Sequence, residues 1–203
     1  MRYNETHKAE THMRLVRLAG RVLREKGPDK LAVAELMGTA GLTHGGFYAH
    51  FKSKDALLGE ALADVFEESR QKVLRMAEGL PPREALVRYI DSYVSSGHRD
   101  RHATGCPVVA LNSDLPRQSR TFRSIFDAGV KTLVADLASW MNAGGIANGA
   151  TLAASVFSAM AGAVAISRTV SDKRMSDELL AATCESIKAR LGLSDVSPGG
   201  ATQ

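Results

Sequence analysis

Cysteine, aromatic residues and strand-forming runs are all in short supply in this chain, and each shortage excludes something. Only two cysteines occur, Cys106 and Cys184, far apart and without the spacing of metal ligands. Aromatic residues make up 5% of the chain. No run alternates Val, Ile, Thr and Tyr with polar residues as a half-buried strand does. The opening "MRYNETHKAETHMRL" is too polar for a signal peptide. Long uncharged stretches are rare too, with one from Ala150 to Ser167, "ATLAASVFSAMAGAVAIS". It is short for a bilayer span and diluted by alanine, serine and glycine, so a buried helix is expected there. The reading is a soluble, cytoplasmic protein with no membrane segment.

Alanine, leucine and arginine dominate what remains, and they favour helix. With 44% hydrophobic and 24% charged residues, the chain can bury a real core and is not wholly disordered. The fold class expected is all-α, about nine helices. The net charge of +4 is unevenly placed: residues 1–54 hold 10 Lys/Arg against 5 Asp/Glu, whereas residues 55–203 hold 16 against 17. The basic excess lies in the first quarter, as in a polyanion-facing head on a neutral body.

Punctuation divides the chain into helical segments. The first runs from about Thr11 to Lys26, with Leu15, Val16, Ala19, Val22 and Leu23 as its apolar stripe, and "KGPD" stops it. A second spans about Ala32 to Ala40 and ends at Gly41 in a left-handed cap. Thr43 caps a third, very short helix through about His50, whose inward face is Phe47 and Phe51. Ser53 caps a fourth that runs to about Glu78, and a fifth covers about Arg83 to Arg101. "TGCPVVALNSDLP" reads as irregular or briefly helical. Long helices follow over about Gln118–Asn142 and Ala150–Val170, then a last one over Ser176–Leu191. The domain division expected is a basic head at 1–52, a larger helical domain at 53–192, and a disordered tail at 193–203.

The third segment poses the central question. In "GLTHGGFYAHFKSKDALL" two adjacent glycines, Gly45 and Gly46, sit inside a short helix, each costing roughly 1 kcal/mol relative to alanine. Helices two and three, joined by Gly41-Leu42-Thr43, have helix-turn-helix dimensions. In that arrangement the second helix enters the major groove with its N-terminal residues at the bases. Bare backbone at Gly45 and Gly46 allows close approach to DNA. Lys54 is a second sign: a lysine in the first turn of a helix opposes the macrodipole, unless an outside anion such as a DNA phosphate sits there.

"LTHGGFYAHFKSKDALL", preceded by "VAELMGTAG", resembles the N-terminal domain of the TetR/AcrR family of transcriptional regulators, over roughly residues 10–60. The resemblance implies that Thr43 and Tyr48 contact phosphates. It places His44, Gly45 and Gly46 at base edges, His50 near the backbone and Lys54 on a phosphate. Ala32 and Val33 stand where family members often carry Ser or Thr, and neither has the hydroxyl that caps helix two and meets a phosphate there. The reading helix also lacks Arg, Asn and Gln for bidentate base contacts. Phosphate clamps and groove shape are therefore expected to carry much of the specificity.

The resemblance further implies a homodimer on a palindromic double-stranded DNA operator, released by a small-molecule effector. A dimer surface is available in the small-residue strip Ala154, Ser158, Gly162 and Ala165, with Val156, Met160 and Ile166 adding apolar bulk. For the effector pocket, Phe126 and Trp140 of a mostly core stripe are candidates. Cys106, at the expected start of a short helix with His102 and Arg101 before it, is a candidate redox or electrophile sensor. Cys184 reads as plain packing. Two rival readings differ in class. An enzyme using a Cys106–His102 dyad has no visible oxyanion motif, orienting residue or cofactor fingerprint, so no enzyme, cofactor or metal is expected. An architectural DNA-binding protein on the same fold would occupy dispersed sites without an effector.

Overall fold

The computed structural model describes residues 2–196. Among them are nine α-helices, three short 3-10 turns and no strand: α1 Arg2–Lys26, α2 Val33–Thr39, α3 Lys54–Ala77, α4 Pro82–Tyr93, α5 Ser96–Asp100, α6 Pro107–Leu111, α7 Arg120–Ala143, α8 Gly149–Thr169 and α9 Lys173–Arg190. The all-α expectation holds. The chain packs as two compact units: residues up to Glu68 with Cys106–Gly129, and Ser69–Gly105 with the chain from Val130 onward.

In the first unit, α1 packs on α2 and α6. Its core is the expected stripe Leu15, Val16, Ala19 and Leu23, met by Leu36 and Met37 of α2 and Leu57, Ala61, Leu62 and Val65 of α3. At Gly20 an added Cβ would lie 2.7 Å from Val65 Cγ2, so glycine there permits the close crossing of α1 and α3. Arg24, buried on α1, reaches Glu68 at 2.8 Å. Helix α1 begins nine residues before the expected Thr11. Once the apolar stripe packs, extending a helix through a polar segment without Gly or Pro adds one hydrogen bond per residue at little cost.

In the second unit, α8 and α9 form the main helix pair, and α4 packs against both. Asp172 caps α9, its carboxylate accepting from the N–H groups of Arg174 and Met175, so α9 begins three residues before the expected Ser176. Arg99, 6% exposed, donates to Ser176 Oγ at 2.8 Å, Asp177 at 2.6 Å and Asp100 at 2.7 Å. Arg168 of α8 donates in turn to the carbonyls of Arg99 and His98. These bonds hold α5 at the α8–α9 corner.

Three further expectations are corrected. The fifth helix is not continuous from Arg83 to Arg101: it breaks at Val94, and Ser95 restarts it as α5 by accepting from His98 N–H at 3.1 Å. A β-branched residue followed by two serines offers the backbone a cap in place of a helical turn. Val156 and Met160 are fully buried within the protomer and add no bulk to the outer strip, whereas Ile166 is 55% exposed. The expected tail starts later than 193, because Leu193 is buried and its N–H donates to Lys188 O at 2.8 Å. Residues 197–203 of that tail lie outside the described residues. Helix α8 is long and apolar enough to span a membrane by length and composition, yet Ala153, Val156, Phe157, Met160 and Val164 bury its inner face.

Candidate nucleic-acid interface

The turn between α2 and the reading segment is closed by backbone alone. Gly41 adopts φ +70°, its N–H donates to Gly38 O, and Leu42 N–H donates to Met37 O, both at 2.9 Å. This is the Schellman pattern, which needs a left-handed residue at Gly41. Arg14 of α1 donates to Ala40 O at 2.9 Å and ties the same turn to the core. Ala32 occupies the N-cap of α2 without any side-chain capping bond, as its lack of a hydroxyl requires.

The reading segment is a 3-10 helix, His44–Ala49, rather than an α-helix reaching His50. Its bonds run from Gly46 N to Thr43 O and from His50 N to Phe47 O. Six residues with two glycines are too few to repay α-helical nucleation, and short runs settle into 3-10 geometry. Thr43 takes the expected N-cap place, but its side chain makes no capping bond. What fixes the segment is burial: Phe47 and Phe51 are 2% and 3% exposed, with ring centroids 5.5 Å apart. Burying two such rings contributes about 2–3 kcal/mol each, which outweighs the two glycines.

The opposite face is open. Thr43, His44 and Gly45 are exposed, Tyr48 is 69% exposed, and Gly46 is half-buried. A Cβ built on Gly45 meets no atom within 4 Å, and one on Gly46 meets only Met37 Cε at 3.6 Å and Thr43 Oγ1 at 3.7 Å. Neither glycine has the left-handed backbone that Gly41 has. The protein's own packing therefore demands glycine at neither position.

Lys54 is half-buried in the first turn of α3, where Ser53 Oγ accepts from Ala56 N–H at 3.1 Å. His50 is half-buried beside α1, its ring 6.3 Å from that of His12. Its Nδ1 is enclosed without a hydrogen-bond partner among the described residues. Burial, with His12 and Lys8 nearby, holds the His50 imidazole below the usual histidine range. His12, which the sequence did not single out, stacks on Phe51 and supports this end of the segment. Its i, i+4 relation to the buried Val16 and its i, i+3 relation to Leu15 were the available signals.

The remaining candidates lie elsewhere. Ala154 and Ser158 are exposed on α8, and Gly162 and Ala165 half-buried. Trp140 lines a cleft in the second unit with Arg70, Leu74, Tyr89, Leu137 and Asp136, a set that includes neither Phe126, Cys106 nor His102. Phe126 packs edge-on against Phe66 in the first unit. Cys106 is buried at the N-cap of the five-residue α6, and His102 is exposed in the 3-10 turn before it. Cys184 does more than pack: its thiol donates to Asp91 at 3.1 Å, and burial together with that carboxylate pushes it up to about 12. Arg70, Val73, Leu74, Tyr89 and Asp136 are the cleft residues that sequence reading missed. The signal was an acid at 136 in the otherwise apolar stripe Leu133, Leu137 and Trp140.

A two-helix unit with a tight glycine turn, an outward glycine pair and a lysine at the next helix start defines a helix-turn-helix DNA-binding protein. Comparison agrees: residues 15–61 match the model described as "Bacterial regulatory proteins, tetR family". The HTH-type transcriptional regulator YerO of Bacillus subtilis is 33% identical over 84 residues, 40% of this chain, but the chain spans only 29% of that relative's length. The HTH-type transcriptional repressor NemR of Escherichia coli is 23% identical over 145 residues, 70% of this chain and 72% of NemR. The crystal structure of E. coli NemR in its reduced form has a TM-score of 0.78 at 20% identity, covering 89% of this chain and 96% of that one. A TetR regulator from Chloroflexus aurantiacus also scores 0.78, at 19% identity and covering 92% and 96%. The family match is confined to residues 15–61, and beyond it the chain shares the fold of these solved regulators.

Proposed function

We propose that the protein is a dimeric repressor that holds a palindromic operator and is released from it by a small-molecule effector. The observation that carries the reading is the open Gly45–Gly46 face, where side chains are missing although the protein has room for them. In this reading Thr43, Tyr48, His50 and Lys54 position the head on phosphates, while His44 and the glycines lie at base edges. The two heads come from two protomers paired through the outward strip Ala154, Ser158, Gly162 and Ala165 of α8. Their small side chains, exposed or half-buried, let a second helix approach closely. Half-sites lie about one helical turn, ~34 Å, apart, so an effector that moves α3, which begins at Lys54, breaks simultaneous fit.

An oxidant or electrophile as effector has Cys106 as its chemical target, and a relative crystallised in a reduced form supports that variant of the reading. Its burial makes the reaction depend on opening around α6.

Selection of bound fragments from random duplex DNA, followed by sizing of the complex, tests the core of this reading. A recurrent palindrome bound by two chains is the expected result. Dispersed sites without a common sequence would favour an architectural protein. A monomer at micromolar concentration would remove the dimer.

A further inference from the structure

Residues 133, 136, 137 and 140 fall on one face of α7, because positions three and four apart lie above one another on a helix. Three of them are apolar and the fourth is Asp136. Trp140, one turn beyond the acid, meets Tyr89 of α4 edge to face, with centroids 5.8 Å apart and planes at 89°. The corner of such a pair is bounded by one face of each ring. Ring faces carry negative potential and attract cations. A carboxylate beside two perpendicular aromatic rings is thus a recognition surface for positive charge. The molecule already places a cation there: Arg70 of α3 donates from Nε to Asp136 Oδ2 at 2.6 Å, with both side chains about one-third exposed.

From this arrangement we propose that the cleft is a binding site for an organic cation with an apolar body, and that the ligand binds by displacing Arg70 from Asp136. An organic anion fits less well, since it would have to evict Asp136 and then lie against two ring faces that repel it. The apolar body is accommodated by Leu74, Leu133 and Leu137. With the ion pair closed, the free interior is about 20 Å³, room for about one water molecule, so the cation enters only as Arg70 swings out. Since α3 begins at Lys54, the exchange acts on the helix that follows the reading segment. A ligand that binds only the open arrangement shifts the population toward it. This assignment of the effector class rests on the effector-released reading above.

The test uses the full chain without DNA and three probes of similar size: benzyltrimethylammonium, benzyl alcohol and benzoate. Trp140 is the chain's only tryptophan, so its fluorescence reports on the cleft directly, and calorimetry gives the affinity. The expected result is saturable binding of the cation alone. Asp136→Asn weakens it at least tenfold and Asp136→Glu restores most of it. Arg70→Gln, lacking the competing guanidinium, tightens it severalfold, an effect that a purely structural ion pair would not produce. Benzoate binding that Arg70→Gln abolishes, or cation binding that Asp136→Asn leaves unchanged, overturns the proposal. The wild-type comparison of the three probes decides the charge preference even where a variant fails to fold. Operator release is then measured separately. Cation binding without release upholds the site and sinks the release mechanism. Release by other compounds, with no cation binding, sinks the site alone.

Discussion

His12 lies nearly parallel to Phe51, with ring centroids 4.4 Å apart and planes at 28°, and its Nε2 is 2.6 Å from Glu60. One α1 side chain thus joins the end of the reading segment to α3. Such ring pairs contribute about 0.5–1.5 kcal/mol beyond burial. His12→Ala is expected to lower unfolding free energy by about 1–2 kcal/mol, measured by urea titration. Operator affinity should fall with it while the salt dependence stays unchanged, because the residue positions the segment and adds no phosphate contact.

Gly45→Ala separates folding from recognition. The added methyl meets open space and removes glycine's backbone entropy, so stability should hold or rise by up to about 1 kcal/mol. Operator binding should weaken at least tenfold. Equal or tighter operator binding, read by fluorescence anisotropy, would show that the bare face is not at the groove.

Lys54→Ala should weaken binding to specific and unrelated duplexes by the same factor. The slope of log K against log salt should drop by about 0.9 for each phosphate that no longer meets a lysine, or ~2 for a dimer. A weakening confined to the operator would make Lys54 a base reader instead.

Acid should weaken the second unit through His98. Burial outweighs its hydrogen bond to Tyr93 O and, with Arg168, Lys72 and Arg101 nearby, brings the imidazole down to about 4. Below its ordinary value of 6.5 the unfolded chain binds the proton first, so stability is intact above pH 6.5 and is lost as pH falls toward 4. The loss from this group amounts to about 3 kcal/mol. Urea titrations at pH 7, 5.5 and 4.5 should show that His98→Gln, though less stable at pH 7, has a shallower acid limb than the wild type.

Most of the reading head was legible because its signals are local. The Phe47/Phe51 spacing, the left-handed Gly41 and Ser53 before Lys54 each act within a few residues, and each appears in the structure where the sequence placed it. The 3-10 form of the reading segment was not legible. It depends on a balance between a short hydrogen-bond ladder and two buried rings, which spacing alone does not weigh. The break at Val94 was missed although its signal, Ser95 capping His98 N–H, is local.

By itself, then, the sequence determined the all-helical class, the helix-turn-helix and the glycine face, since helix periodicity, caps and turn chemistry are short-range. Tertiary structure alone decided which apolar residues of α8 turn inward, leaving Ile166 outside and Val156 and Met160 within. It also decided that Arg70 meets Asp136 across 66 positions beside Tyr89 and Trp140. Such pairings arise from how whole helices pack, and side-chain chemistry at one position does not specify its partner on another helix.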